Sequence, residues 1–175
     1  MYLFKNSKTS IICGLILSVI LVIIDQISKL MALSYLKDKP DIVLIRNVLQ
    51  LHYLENNGAA FSMLEGKQVF FRILTPVFLL LICYIYVKLA KVSQFKGTKL
   101  IIIFVIAGAV GNYIDRIRYE YVIDFIYFSL INFPVFNIAD CYITCSVFTL
   151  IFMIMVKYSE RDIDDMTKLI LPGKK

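Results

Sequence analysis

The sequence predicts an all-α polytopic membrane protein with four transmembrane helices, a small extracytoplasmic β-structure after the first helix and an interfacial aromatic flap before the fourth. Three observations predict the membrane class. Hydrophobic residues fill 59% of the 175 positions and charged residues only 18%, whereas soluble domains run at roughly 45–50% apolar and about 25% charged. The apolar residues are gathered into four runs, and the mean hydropathy is +0.77. The basic residues between the runs are divided unequally over alternate connections, as expected of loops on opposite sides of a bilayer.

The first run covers 10–24 and continues past Asp25 and Lys29, giving a span over about 10–34. The second covers 69–87, broken only by Arg72, for a span over 68–88. The third and fourth runs, 100–114 and 141–156, are short of the roughly 20 residues that cross about 30 Å of hydrocarbon. They reach that length, as spans 98–116 and 139–157, if Asn112 or Asp140 lies at membrane depth inside the bundle. The remainder, 159–175, alternates charges and reads as a surface helix or a frayed tail. No repeat or second domain divides 1–175. Lys5 and Lys8 before the first run would suit a cleaved signal peptide. Asp25 and Lys29 interrupt that run and no small-x-small site follows it, so the first span is expected to be retained.

Eleven lysines and arginines fall on the side of the segment before the first span, the connection of spans two and three, and the segment after span four; seven fall on the other side, in or beside the other two connections. The larger group predicts both termini in the cytoplasm. The net charge of +6 is then positive-inside bias, and a nucleic-acid partner is not expected, since no soluble basic surface exists. Cys13, Cys83, Cys141 and Cys145 all lie inside apolar spans and read as small packing residues. A metal pair is not expected, because the lone histidine, His52, sits on another segment.

The first external segment, 41–63, contains Ile42-Val43-Leu44-Ile45 and Val48-Leu49-Gln50-Leu51-His52-Tyr53-Leu54 around Arg46-Asn47. Its β-branched and aromatic content with a turn signal predicts a small β-structure; a loop with apolar anchors fits nearly as well. The second, 119–136, carries Tyr119, Tyr121, Phe125, Tyr127, Phe128 and Phe133. Aromatic residues gather at the membrane–water boundary, which suggests a flap or half-buried helix there.

With the termini inside, Asp25, Gln26 and Lys29, the Asn56-Asn57-Gly58-Ala59-Ala60 turn, Asn112, Asp115 and Arg116, Asp124, Asn137 and Asp140 all fall on the outer side. Polar residues scattered at random would populate both faces. Carboxylates at membrane depth are costly and mark working sites. Asp124 and Asp140 could form an acid/base dyad, one holding a proton while the other activates water. They could equally be unrelated, Asp124 a solvated loop residue and Asp140 an N-cap of the fourth span. Asp25 and Lys29, at i and i+4, can pair on one helix face, as a structural ion pair or as a substrate contact. Arg116, beside Asp115, could brace a carboxylate or meet a lipid phosphate. The small residues after Asn57 would let a peptide backbone approach, or simply form a turn. Gly108, Ala109 and Gly111 suit helix packing. A coupled transporter uses similar intramembrane charges, but four short spans without a repeat and nearly bare inner halves argue against it.

The blocks Asp25-Gln26-Ile27-Ser28-Lys29, Asn56-Asn57-Gly58-Ala59-Ala60-Phe61-Ser62, Gly108-Ala109-Val110-Gly111-Asn112-Tyr113-Ile114-Asp115-Arg116, Val122-Ile123-Asp124-Phe125 and Phe136-Asn137-Ile138-Ala139-Asp140 together resemble bacterial lipoprotein signal peptidase, or signal peptidase II. The resemblance spans roughly 10–158 and keeps the family's block order. It implies an aspartic endopeptidase of the inner membrane that cuts a prolipoprotein just before its diacylglyceryl-modified cysteine. It places the catalytic pair on Asp124 and Asp140, and supporting residues on Asp25, Lys29, Asn56, Gly108, Asn112, Arg116, Asn137 and Ala139. It implies no metal or cofactor. It also implies binding of globomycin-type peptide inhibitors, membrane-lipid contact and a site near the extracytoplasmic face; a monomer is expected. Two departures stand out: Glu120 replaces a glycine usual before Val-x-Asp-Phe, and the Asp124-to-Asp140 connection is somewhat short.

Overall fold

The computed structural model describes residues 7–58 and 68–171. Four of its helices are long and apolar enough to cross a membrane. They are α1 (Ser7–Tyr35), α2 (Gln68–Ala90), α3 (Lys96–Arg118) and α4 (Ile138–Phe152), the last extended by a π-helical turn, Met153–Lys157. The central rod is α3, which packs against the other three. In its most apolar stretch 56% of residues are buried, against 28% for α1 and 17% each for α2 and α4. The glycines and alanines of α3 explain its position, because small side chains let neighbouring helices approach in a medium that supplies little hydrophobic drive. Leu21, Tyr86, Leu89, Phe95, Ile102, Ile103 and Ala107 form the main apolar cluster. The outer faces stay aliphatic, as at Leu15, Leu80 and Met155, where lipid replaces protein as the neighbour.

A three-stranded antiparallel sheet sits at one end of this bundle. It comprises β1 (Ile42–Ile45), β2 (Leu49–Asn56) and β3 (Val122–Tyr127), in the spatial order β1-β2-β3. Asn47, at φ 58°, occupies the left-handed region in the β1–β2 turn, a conformation asparagine tolerates better than most residues. Ile123 and Phe125 bury against Ala32 and Leu36 at the end of α1, with Leu51 and Tyr53 packed around them. This small core fixes the sheet on the helices. Its register opposes Leu54 to Asp124 and Asn56 to Val122.

The second external segment holds no α-helix; β3 and a short 3₁₀ turn, Ser129–Ile131, occupy it. Asp124 therefore lies on a strand and not in a loop. The first four residues of β3 are all buried, so the aromatic side chains serve partly as core. The backbone is satisfied by β2 on one side and, on the other, by Phe136, whose carbonyl accepts from Ile126 at 2.8 Å. In the final segment, α5 (Glu160–Ile170) is a surface helix capped by Ser159 and tied to α2 where the Tyr84 hydroxyl donates to the Ile170 carbonyl (3.2 Å).

Candidate active site

The site forms where the start of α4 meets β3, β2, α3 and α1. A helix beginning among apolar neighbours must find partners for its first N–H groups. Here Asn137 is the N-cap: its side-chain oxygen accepts from the Asp140 amide (3.0 Å), and the Asp140 carboxylate accepts from the Asn137 amide (3.2 Å). The Ala139 amide is taken by Asp25 Oδ1 at 2.9 Å. Asp140 is thus not the cap that a start-of-run aspartate suggests; it is the third residue of the helix, in a capping box with Asn137.

The same asparagine reaches the other aspartate. Asn137 Nδ2 donates to Asp124 Oδ1 (2.6 Å) and to Asn112 Oδ1 (3.1 Å). Asn56 Nδ2 donates to Asp124 Oδ2 (2.8 Å), and Asn112 Nδ2 to Asp140 Oδ1 (2.8 Å). Two carboxylates on different elements are thereby held by three amides. Asp124 is 1% exposed. Burial pushes its carboxyl up to about 7, the nearby Asp140 adds to the rise, and the Asn56 and Asn137 hydrogen bonds and the Lys29 charge work against it.

Behind this pair lies a buried ionic cluster. Lys29 Nζ meets Asp25 Oδ2 (3.1 Å), Asp115 Oδ2 (2.9 Å) and Asn112 Oδ1 (2.8 Å). Asp115 also accepts from Gln26 (3.0 Å) and from the Ile123 amide (3.1 Å), the residue before Asp124. Arg116 Nη2 donates to the Gly58 carbonyl (3.1 Å), and its guanidinium lies 4.8 Å from the Phe71 ring centroid. It does not reach Asp115, its chain neighbour; adjacent helix positions point apart. Asn56 braces Asp124, and its own oxygen accepts from Gly58 N (2.9 Å). The groove expected at Ala59 and Ala60 lies outside the described residues.

Space explains the remaining positions. A Cβ on Gly108 would sit 2.6 Å from the Ala139 carbonyl oxygen, and one on Gly111 2.4 Å from Asp25 Oδ2. Ala139 is itself fully buried. The prediction that follows is for Gly108→Ala: α4 must move, carrying Asp140 with it, and stability falls by about 1–3 kcal/mol. Thermal unfolding in detergent checks it.

The structure brings to this region all ten residues that the resemblance singles out, and adds Asp115 and Gln26, which the sequence places on the outer side without a role. The available signal was Asp115 at i+3 from Asn112, on one helix face and with two acceptors to share. Asp115→Asn would leave Lys29 with Asp25 as its one carboxylate partner among the described residues and weaken the tie to Ile123. A loss of roughly 2–3 kcal/mol is expected in the same unfolding measurement.

Comparison with known proteins now bears on this geometry. A family model described as "Signal peptidase (SPase) II" matches residues 17–156. The chain belongs to the signal peptidase II family. Among relatives named lipoprotein signal peptidase, that of Clostridium tetani is 39% identical over 154 residues, 85% of this chain and 97% of the relative. That of Enterococcus faecalis is 40% identical over 125 residues, covering 71% and 76%. A solved bacterial membrane enzyme matches with a TM-score of 0.75 at 33% identity, over 85% of this chain and 92% of that one. As a signal peptidase II, the chain is an aspartic peptidase, a multi-pass bacterial membrane hydrolase that removes signal peptides from prolipoproteins amid membrane lipids.

The Glu120 departure has a structural account. Glu120 adopts φ 70°, where a glycine fits without strain. Its carboxylate pairs with Arg72 at 2.9 Å, and Arg72 also donates to the Arg116 carbonyl (3.0 Å). Strain and an exposed ion pair are each worth about 1 kcal/mol and oppose each other. Glu120→Gly is therefore expected to change stability by less than about 1 kcal/mol, as thermal unfolding would read.

Proposed function

We propose that Asp124 and Asp140 are the catalytic dyad, and that the enzyme cuts just before the diacylglyceryl-modified cysteine of its prolipoprotein substrate. The observation that carries this reading is Asn137, which hydrogen-bonds both aspartates and holds them at one place. In the proposed step Asp140 takes a proton from a water molecule. The water oxygen bonds to the scissile carbonyl carbon while protonated Asp124 donates a hydrogen bond to the carbonyl oxygen. The carbon–nitrogen bond then breaks, and the proton passes to the departing cysteine amine. The signal peptide leaves with a new carboxylate.

Supporting roles follow from the contacts. Asn56 and Asn137 hold Asp124, and Asn112 holds Asp140. Asp25 and Lys29 anchor the α4 start and Asn112. Gly108 and Ala139 admit close packing of α3 on α4. Arg116 has a buried Nε with no partner among the described residues, free to meet a substrate carbonyl. The charge bias supports cytoplasmic termini, and hence a site near the extracytoplasmic face, within one membrane domain over 1–175. The proposal includes action as a monomer and inhibition by globomycin-type peptides, which would occupy the groove for extended substrate.

The test is cleavage of a diacylglyceryl-modified prolipoprotein by the purified protein in detergent. A product starting at the modified cysteine supports the reading; cleavage elsewhere, or of unmodified precursor at equal rate, sinks it.

A further inference from the structure

β1 is aliphatic on both faces. Ile42, Val43, Leu44 and Ile45 are all exposed, at 44% to 57%, and the strand is the edge of its sheet. A sheet with one watery face alternates apolar and polar residues; four consecutive exposed aliphatics mean that neither face of β1 is built for water. Across from it, Leu130 and Ile131 on the 3₁₀ turn are 67% and 69% exposed. Between the two runs opens a cleft of about 590 Å³ lined by Val43, Arg46, Asn47, Gln50, Ser129 and Leu130. Arg46 is the single charge in that lining, and no described residue pairs with its guanidinium.

The position of the chain says what covers this surface. α1 is lipid-facing along its exposed aliphatic side and ends at Tyr35, which is 64% exposed, with Lys39 Nζ 5.9 Å from the Tyr35 ring. Tyrosine beside lysine at a helix end marks the headgroup level. β1 begins seven residues after Tyr35, so its exposed aliphatics follow the headgroup-level end of α1 closely along the chain.

We propose that β1 and the Ser129–Ile131 turn dip into the outer leaflet, and that the cleft between them binds the phosphodiester headgroup of a membrane phospholipid through Arg46. The guanidinium meets the phosphate in a forked geometry, Asn47, Gln50 and Ser129 offer hydrogen-bonding groups, and Val43 and Leu130 flank the first acyl carbons. The inference stands on the membrane placement alone and survives if the dyad assignment fails.

The sequence contains no tryptophan, which permits a clean test. Leu44 lies at the irregularity in β1–β2 pairing and has no strand partner there. The Leu44→Trp variant is reconstituted in phosphatidylcholine vesicles carrying brominated phosphatidylglycerol, or the same mole fraction of brominated diacylglycerol, which lacks the phosphate. Expected are a blue-shifted emission, quenching by both lipids and greater quenching by the phospholipid. Adding Arg46→Gln should remove the difference and leave the common quenching. Unquenched, water-like emission would overturn the immersion. Equal quenching by the two lipids, or a preference that survives Arg46→Gln, would overturn the headgroup site. Loss of the preference on adding inorganic phosphate would assign the cleft to free anion and overturn it as a lipid site. An emission change seen only with added prolipoprotein would make β1 a substrate strand instead. Prolipoprotein cleavage by both variants at the wild-type rate in detergent verifies folding.

Discussion

Asp140→Asn is expected to reduce prolipoprotein cleavage by about 10³–10⁴-fold, and Asp124→Asn by a similar factor. An asparagine at position 140 keeps the shape of the carboxylate and can still accept from Asn112 Nδ2 or from the Asn137 amide. The helix start therefore survives with a loss near 1 kcal/mol, so inactivity would not be a folding failure. What disappears, in the proposed step, is the basic oxygen that takes the proton from water. The double variant should be little worse than either single one, because two groups that act in one step are not additive. Single-turnover cleavage with unfolding measured on the same samples checks this. A folded Asp140→Asn protein cutting within tenfold of wild type would remove Asp140 from the chemistry.

The second large effect concerns pH. Burial and the nearby Asp140 push the Asp124 carboxyl up to about 7, from an ordinary value of 3.8. With a raised value, the folded protein holds a proton that the unfolded chain has already released between about pH 4 and pH 7. Folding stability attributable to this group therefore falls as pH rises through that window, by up to about 4 kcal/mol, and is flat above it. Asp124→Asn removes the titration. The inactive variant should gain stability relative to wild type as pH rises from 4 to 8. The absolute gain is reduced, because Asp124 accepts from both Asn56 and Asn137 and an asparagine has one acceptor oxygen. Wild-type activity should decline above about pH 7 as Asp124 loses the proton it offers the carbonyl. Thermal unfolding of both proteins across pH reads the stability difference; a constant difference would show that Asp124 titrates where an ordinary carboxyl does.

The four helices were legible because an apolar run of membrane length has few other fates. That the polar residues gather at one end of the bundle was legible from their clusters at alternate helix ends. The third strand was not. Val122–Tyr127 carries Asp124 amid aromatic residues, and it is buried along its first four positions instead of alternating; its partner, β2, lies some 68 residues away. A local pattern cannot announce such a pairing. Asp115 escaped because its neighbour Arg116 offered an obvious partner, while its true ones, Lys29 and the Ile123 amide, come from another helix and a strand. The sequence left Asp140 open as a cap of α4 for a related reason: it and Asn137 are both cap-forming types three residues apart, and only the backbone angles assign the cap to Asn137.

Asn137 makes the first turn of α4 and the arrangement of the two aspartates a single object. Fraying of one helix end, the most ordinary local motion of a helix, would release Asp124 and Asp140 together. Heating should therefore silence the enzyme before the bundle melts, with lost turnover leading lost helicity. A compound that wedges the turn open would inhibit without touching either carboxylate, and one that clamps it shut would protect the enzyme against heat.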